Sequence, residues 1–295
     1  MKRLLIIGAF ILALPVSGWC GVNWQRLDTS NFIVFFPEDE GPGAMVFGQR
    51  AEKIRTYVLS EMGQNSTTKI NVYLAPDRGT FDTLQPKHHA PEWSVGTAIA
   101  AQETIVMFSP RGSLKEGVRA DDAEVFAHEL AHLYLADLLK SRSIPRWLQE
   151  GLAQMVARQW ERGDALRLTL AVLVDRLIPL SALMNRWPEA QGPAHLAYAE
   201  AFSFTLFLRK KQYLAPMLSA MNNGRGAPEA LTAISGKDLR QLEEEWRAYL
   251  KENQTWVLLS NQGCLWTFAA LMAFAAFFLL KLRRRRQYEA LDDEQ

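Results

Sequence analysis

The sequence predicts an α+β protein: a small mixed sheet with helices, then a mostly helical half, plus one C-terminal transmembrane helix. Three observations predict it. Before residue 110, β-rich apolar runs closed by proline alternate with a helical stretch. From Asp121 to Lys251 helical periodicity dominates, with no repeat, low-complexity stretch or Gly/Ser linker. Finally, residues 264–280 form an apolar run in which Thr267 is the only clearly polar side chain.

Taken in order, residues 1–21 begin Met1-Lys2-Arg3, continue with an apolar run to Leu14, and reach Pro15-Val16-Ser17-Gly18. This describes a secretory signal peptide, because the run spans only about 16 Å as helix against a hydrocarbon core of about 30 Å. Cleavage is expected after Gly18 or near Cys20; Trp19 stands where a lipidation motif needs a small residue. Phe32-Ile33-Val34-Phe35-Phe36, closed by Pro37, reads as a strand, and residues 44–62 as a helix with Val46, Ala51, Ile54, Val58 and Leu59 near one face. Residues 69–74 alternate as a strand, and residues 96–101 and 104–108 read as two more. The expected organisation is a signal peptide (1–21), a body (22–262) with an α/β half (22–119) and a helical half (120–262), a transmembrane helix (263–282) and a cytoplasmic tail (283–295). Lys281 and Arg283 to Arg286 follow the apolar run and hold that end in the cytoplasm, which leaves the body outside it.

The charge balance is 33 Lys+Arg against 32 Asp+Glu over 295 residues, with two cysteines. This excludes a disordered chain, a disulfide scaffold and a strongly basic nucleic-acid binder. Setting aside Lys2, Arg3, Lys281, Arg283 to Arg286, Glu289, Asp292, Asp293 and Glu294 leaves the body with 26 basic and 28 acidic residues. No electrostatic footprint for nucleic acid remains.

The chemistry concentrates in Asp121-Asp122-Ala123-Glu124-Val125-Phe126-Ala127-His128-Glu129-Leu130-Ala131-His132. Asp121 is placed to cap a helix, with Glu124 completing a capping box. His128 and His132 then lie about 40° apart around the axis and about 6 Å along it, so both imidazoles reach one metal ion. Glu129 lies beside that face, where its carboxylate can take a proton from water activated by the metal; this is the His-Glu-x-x-His pattern of zinc hydrolases. Catalytic zinc usually takes a third protein ligand. Glu150 supplies a carboxylate one turn or more into a second helix opened by Pro145, and the short Ser141-Arg142-Ser143 connection allows the two helices to run antiparallel. His88 and His89, between Pro86 and Pro91, read as loop residues.

His128-Glu129-x-x-His132 together with Trp147-Leu148-x-Glu150-Gly151-x-Ala153 resembles the gluzincin metallopeptidases, the group that includes thermolysin and a family of zinc aminopeptidases. Within it the sequence is most similar to the bacterial peptidase MA-like proteins. Ile178-Pro179-Leu180 and Ala197-Tyr198-Ala199-Glu200-Ala201-Phe202-Ser203-Phe204 fit their pattern, and the likeness covers about residues 24–250. The resemblance implies a thermolysin-like zincin core, Zn2+ held by His128, His132 and Glu150, and Glu129 as general base and later proton donor. It also implies an oxyanion-stabilising donor from the helical half: Tyr198, with His195 as the rival. The aminopeptidases carry Gly-x-Met-Glu-Asn to hold the substrate's free amino end; residues 96–104 do not match it, and only Glu103 is left to imitate its carboxylate.

The expectation is therefore a single-pass protein of the bacterial inner membrane whose extracytoplasmic, zinc-dependent domain cleaves peptide or protein substrates, as an endopeptidase. The competing reading is a non-catalytic binding or assembly module on the same fold.

Overall fold

The computed structural model describes residues 22–85, 94–118, 121–140, 143–160 and 162–260, together with 272–274, 277, 278 and 281. The expected signal peptide, His88 and His89, and most of the expected transmembrane helix lie outside the described residues. Among the described residues, no helix is long and apolar enough to cross a membrane.

The α/β half contains β1 (Trp24–Asp28), β2 (Phe32–Pro37), α1 (Gly41–Met62), β3 (Ile70–Ala75), α2 (Arg78–Thr83), β4 (Gly96–Ile99), β5 (Thr104–Phe108) and α3 (Pro110–Lys115). The strands form one mixed sheet in the order β1-β2-β3-β5-β4. β2, β3 and β5 run parallel at its centre, and β1 and β4 pair antiparallel at its edges. Side chains alternate across the pleat. Phe32, Val34, Ile70, Val72, Ile105 and Met107 join the main core beneath α1, while Val106 and Phe108 meet Phe81 of α2 on the other face. All five residues of β5 are buried, which is why residues 105–108 run apolar without alternation.

Two expectations are corrected in this half. Val46 is 51% exposed, because α1 buries Ala44, Phe47, Gly48, Ala51, Val58 and Leu59 instead. The strand expected over 96–101 ends at Ile99 and passes into a 3-10 turn.

The helical half comprises α4 (Asp122–Leu138), α5 (Arg146–Ala157), α6 (Arg162–Leu173), α7 (Gln191–Lys210), α8 (Leu214–Asn222), α9 (Ala227–Ser235) and α10 (Leu239–Ser260). α4 lies against β4 and β5, α5 packs between α4 and α7, and α6 bridges α7 and α10. Trp147 and Trp246 are fully buried and meet Phe204 edge-on, at centroid distances of 5.0 and 5.7 Å. Burying an aromatic side chain of this size stabilises by about 3 kcal/mol, so these rings fix α5, α7 and α10 against one another. Helix therefore dominates from residue 122, as the periodicity predicts. The exception is the stretch between α6 and α7, which runs without an α-helix and returns to the start of α5.

Candidate metal site

α4 begins where Asp121 Oδ1 accepts from the Ala123 N–H, an N-cap that satisfies one of the free donors of the first turn. Val125, Phe126, Ala127, Leu130, Ala131 and Leu133 bury most of the helix, leaving His128 and His132 partly buried with side chains 14% and 19% exposed. Their Nε2 atoms lie 3.0 Å apart.

Glu150 arrives from α5. The N–H groups of Arg146 and Trp147, which a helix start leaves without internal partners, donate to the carbonyls of Met184 and Leu183 at 2.8 and 3.1 Å. Trp147 and Leu148 anchor the first turn in the core, so Glu150 faces back toward α4. Its Oε2 lies 3.6 Å from both imidazole Nε2 atoms, while Arg146 Nε stands 3.3 Å from Oε1.

These three residues fit a metal ion. Tetrahedral coordination at zinc–ligand distances near 2.0 Å separates ligand atoms by about 3.3 Å, and the three observed separations bracket that value. Two imidazole nitrogens and a carboxylate oxygen turned toward one another are electron-pair donors with a common focus, the arrangement a cation stabilises. The donor set of two His and one carboxylate also suits zinc. Burial raises the Glu150 carboxyl, but the two imidazoles outweigh it and hold it well below the usual carboxylate range. Glu150 is therefore ionised, as a metal-binding carboxylate has to be.

Glu129 is 8% exposed and packs under β4, where its carboxylate accepts a hydrogen bond from the Ala98 N–H. A Cβ on Gly96 would lie 2.7 Å from Val125 Cγ1 and 2.9 Å from Glu129 Oε1, so the strand comes this close only because residue 96 lacks a side chain. Burial pushes the Glu129 carboxyl up to about 7; the charge of Glu150 adds to the rise, and His128 and the Ala98 N–H oppose it.

A cleft of about 540 Å³ opens over His128 and Glu129, and its lining also includes Gly96, Trp160, His195 and Tyr198. Both expected oxyanion donors on α7 therefore reach the same cavity. Tyr198 packs edge-on against Trp187 at 4.9 Å. Burial, followed by the charge of Glu150, pushes its hydroxyl up, so it stays protonated as a donor. Glu103, by contrast, lines a separate depression with Tyr134 and Asp137 toward the far end of α4 and is not among the residues lining the cleft over His128 and Glu129.

Sequence reasoning missed three contributors. Gln159 beside His128 and Gly96 beside Glu129 act through contacts between elements, which no local pattern announces, whereas Arg146 meets Glu150 at i,i+4 within α5. A glycine opening a predicted strand and the i,i+4 spacing of Arg146 and Glu150 were the available signals.

The paired histidines on one buried helix, the glutamate returned by the next and the adjoining α+β sheet define the class: a metallopeptidase-type hydrolase. The chain belongs to the peptidase MA superfamily, whose family profile matches residues 55–252, more than half of its length. Comparison with curated proteins gives no match.

Proposed function

We propose that this protein is a membrane-anchored, zinc-dependent endopeptidase of gluzincin type that acts outside the cytoplasm. The convergence of His128, His132 and Glu150 beside the buried Glu129 carries the reading. His128, His132 and Glu150 would hold the ion; when bound, zinc polarises a carbonyl and acidifies water. Glu129 takes the proton from the attacking water and returns it to the leaving amine. A carboxyl poised near neutrality serves both directions of that transfer. The Tyr198 hydroxyl donates to the carbonyl oxygen as negative charge develops there.

β4 is an edge strand beside Glu129, suited to taking an extended peptide by strand addition. The absence of the amine-binding motif, and of Glu103 from the lining of the cleft, supports internal cleavage over removal of single terminal residues. The anchor is supported by the apolar run at 264–280 and the basic cluster after it. Met272, Phe274, Phe277 and Phe278 are each more than half exposed, as lipid-facing side chains would be.

In cells expressing the full chain, zinc-dependent peptide hydrolysis is expected in the membrane fraction. Glu129→Gln is expected to retain about one zinc per chain and to lose hydrolysis by at least about 100-fold, in line with removal of a general base. Equal cleavage by variant and parent sinks the mechanism. Full zinc occupancy with no cleavage by either, across a broad peptide library, moves the assignment to a binding module.

A further inference from the structure

The geometry points to Gln159 as the residue that positions His128 for metal binding, its neutral amide accepting the Nδ1–H so that Nε2 is left free as the ligand atom. The inference rests on the metal-site reading above.

Gln159 lies just beyond the end of α5, the helix that carries Glu150. Its Oε1 is 2.8 Å from His128 Nδ1. A histidine binds metal through one ring nitrogen only when that nitrogen is unprotonated, and the partner of the other nitrogen sets the tautomer. If Nε2 faces the metal, Nδ1 must carry the hydrogen, and Gln159 must present its carbonyl oxygen rather than its NH2. The structure has that arrangement.

The chain is bent to achieve it. α5 is capped by Arg158, whose φ of 58° lies in the left-handed region that non-glycine residues seldom occupy. The Gln159 N–H then reaches back to the Gln154 carbonyl at 3.0 Å, closing the helix end. Arg158 is held in this conformation by Tyr57: Arg158 Nε donates to the Tyr57 hydroxyl at 3.0 Å, that hydroxyl donates to the Val156 carbonyl at 3.0 Å, and the guanidinium lies 5.0 Å from the ring centre. The reversal returns Gln159 toward α4. One helix thus delivers the third ligand from its first half and, through its C-terminal turn, the orienting partner of the first ligand.

The partner is an amide, not a carboxylate. A carboxylate at this position would draw the Nδ1 proton and make the ring a stronger electron donor; an amide fixes the same tautomer without adding charge. This gives the two replacements of Gln159 opposite signs. Gln159→Leu removes the acceptor, and Gln159→Glu strengthens it in nearly the same volume.

The test is zinc affinity, measured by chelator competition on the purified full-length chain and its variants in detergent, with thermal melting of the metal-free proteins alongside. Gln159→Leu is expected to bind zinc about 10- to 100-fold more weakly than the parent, with a metal-free melting temperature close to the parent's. Gln159→Glu is expected to bind at least as tightly as the parent. Parental zinc affinity in Gln159→Leu overturns the inference, as does equal weakening in both variants, which would mark a packing role. A parent without zinc affinity fails earlier, removing the metal site itself and this role with it.

Discussion

Glu129 owes its position to a missing side chain on the neighbouring strand. The edge strand β4 lies close enough for the Ala98 N–H to reach the carboxylate, and Gly96 provides the room. Gly96→Ala places a methyl group 2.7 Å from Val125 Cγ1 and 2.9 Å from Glu129 Oε1, so either the strand retreats or the carboxylate turns. If Glu129 is the general base proposed above, displacing it by about 1 Å costs on the order of 100-fold in rate. The expected outcome is a fall in kcat/KM of about 10- to 100-fold with zinc content unchanged, read from steady-state kinetics and metal analysis of the same preparation. An unchanged kcat/KM would mean that the strand does not set the carboxylate. Glu129 itself was legible in the sequence because its position relative to two histidines follows from helix geometry alone. Gly96 was not, since its effect depends on which helix the strand meets.

At the scale of elements, α5 does the most. It contributes Glu150, it ends in the turn that carries Gln159, and it crosses α7 where Gly151 brings the backbones together. A Cβ at Gly151 would overlap the Ala201 carbonyl and Thr205 Oγ1, and the carbonyl, being main chain, cannot move without shifting α7. Gly151→Ala is therefore expected to destabilise the fold by about 1–3 kcal/mol, the usual cost of overpacking. It should also weaken zinc binding, because residue 150 moves with the crossing; urea denaturation and chelator competition on one variant check both. A variant as stable as its parent would show that the helices separate at no cost. α4 and α5 were readable from a cap, a helix-opening proline and apolar spacing. β1 was not: its buried residues, Trp24 and Leu27, are three apart rather than two, so the strand shows no alternation. The stretch between α6 and α7 was absorbed into a predicted helical half, because its course is set by distant side chains rather than by its own pattern.

On the scale of the whole molecule, those side chains tie the far helices to the site. Glu200 on α7 accepts from the Ile178 N–H at 2.9 Å, Glu243 on α10 from the Leu180 N–H at 3.0 Å, and Arg247 donates to the Leu177 carbonyl at 3.3 Å. The same stretch continues to Leu183 and Met184, whose carbonyls receive the first N–H groups of α5. Glu200 is fully buried, and its Oε2 has no hydrogen-bond partner among the described residues. Burial pushes its carboxyl up to about 8; the Ile178 N–H and then Arg247 pull it down, and Glu243 adds to the rise. Between an ordinary value of 4.5 and about 8, the folded state holds this proton more tightly than the unfolded chain does. Stability from this group is therefore lost as pH rises through that window, and above about 8 the fold must carry a buried carboxylate. A tenfold difference in proton affinity between the two states corresponds to about 1.4 kcal/mol, which sets a ceiling of a few kcal/mol on the effect. Glu200→Gln keeps an oxygen for the Ile178 N–H and removes the charge. The difference in unfolding free energy between Glu200→Gln and its parent is expected to grow in favour of the variant from pH 5 to pH 9. Comparing the pair at each pH cancels the titration of every other group, so a difference that stays flat across the range would mean that Glu200 is already ionised in the folded protein.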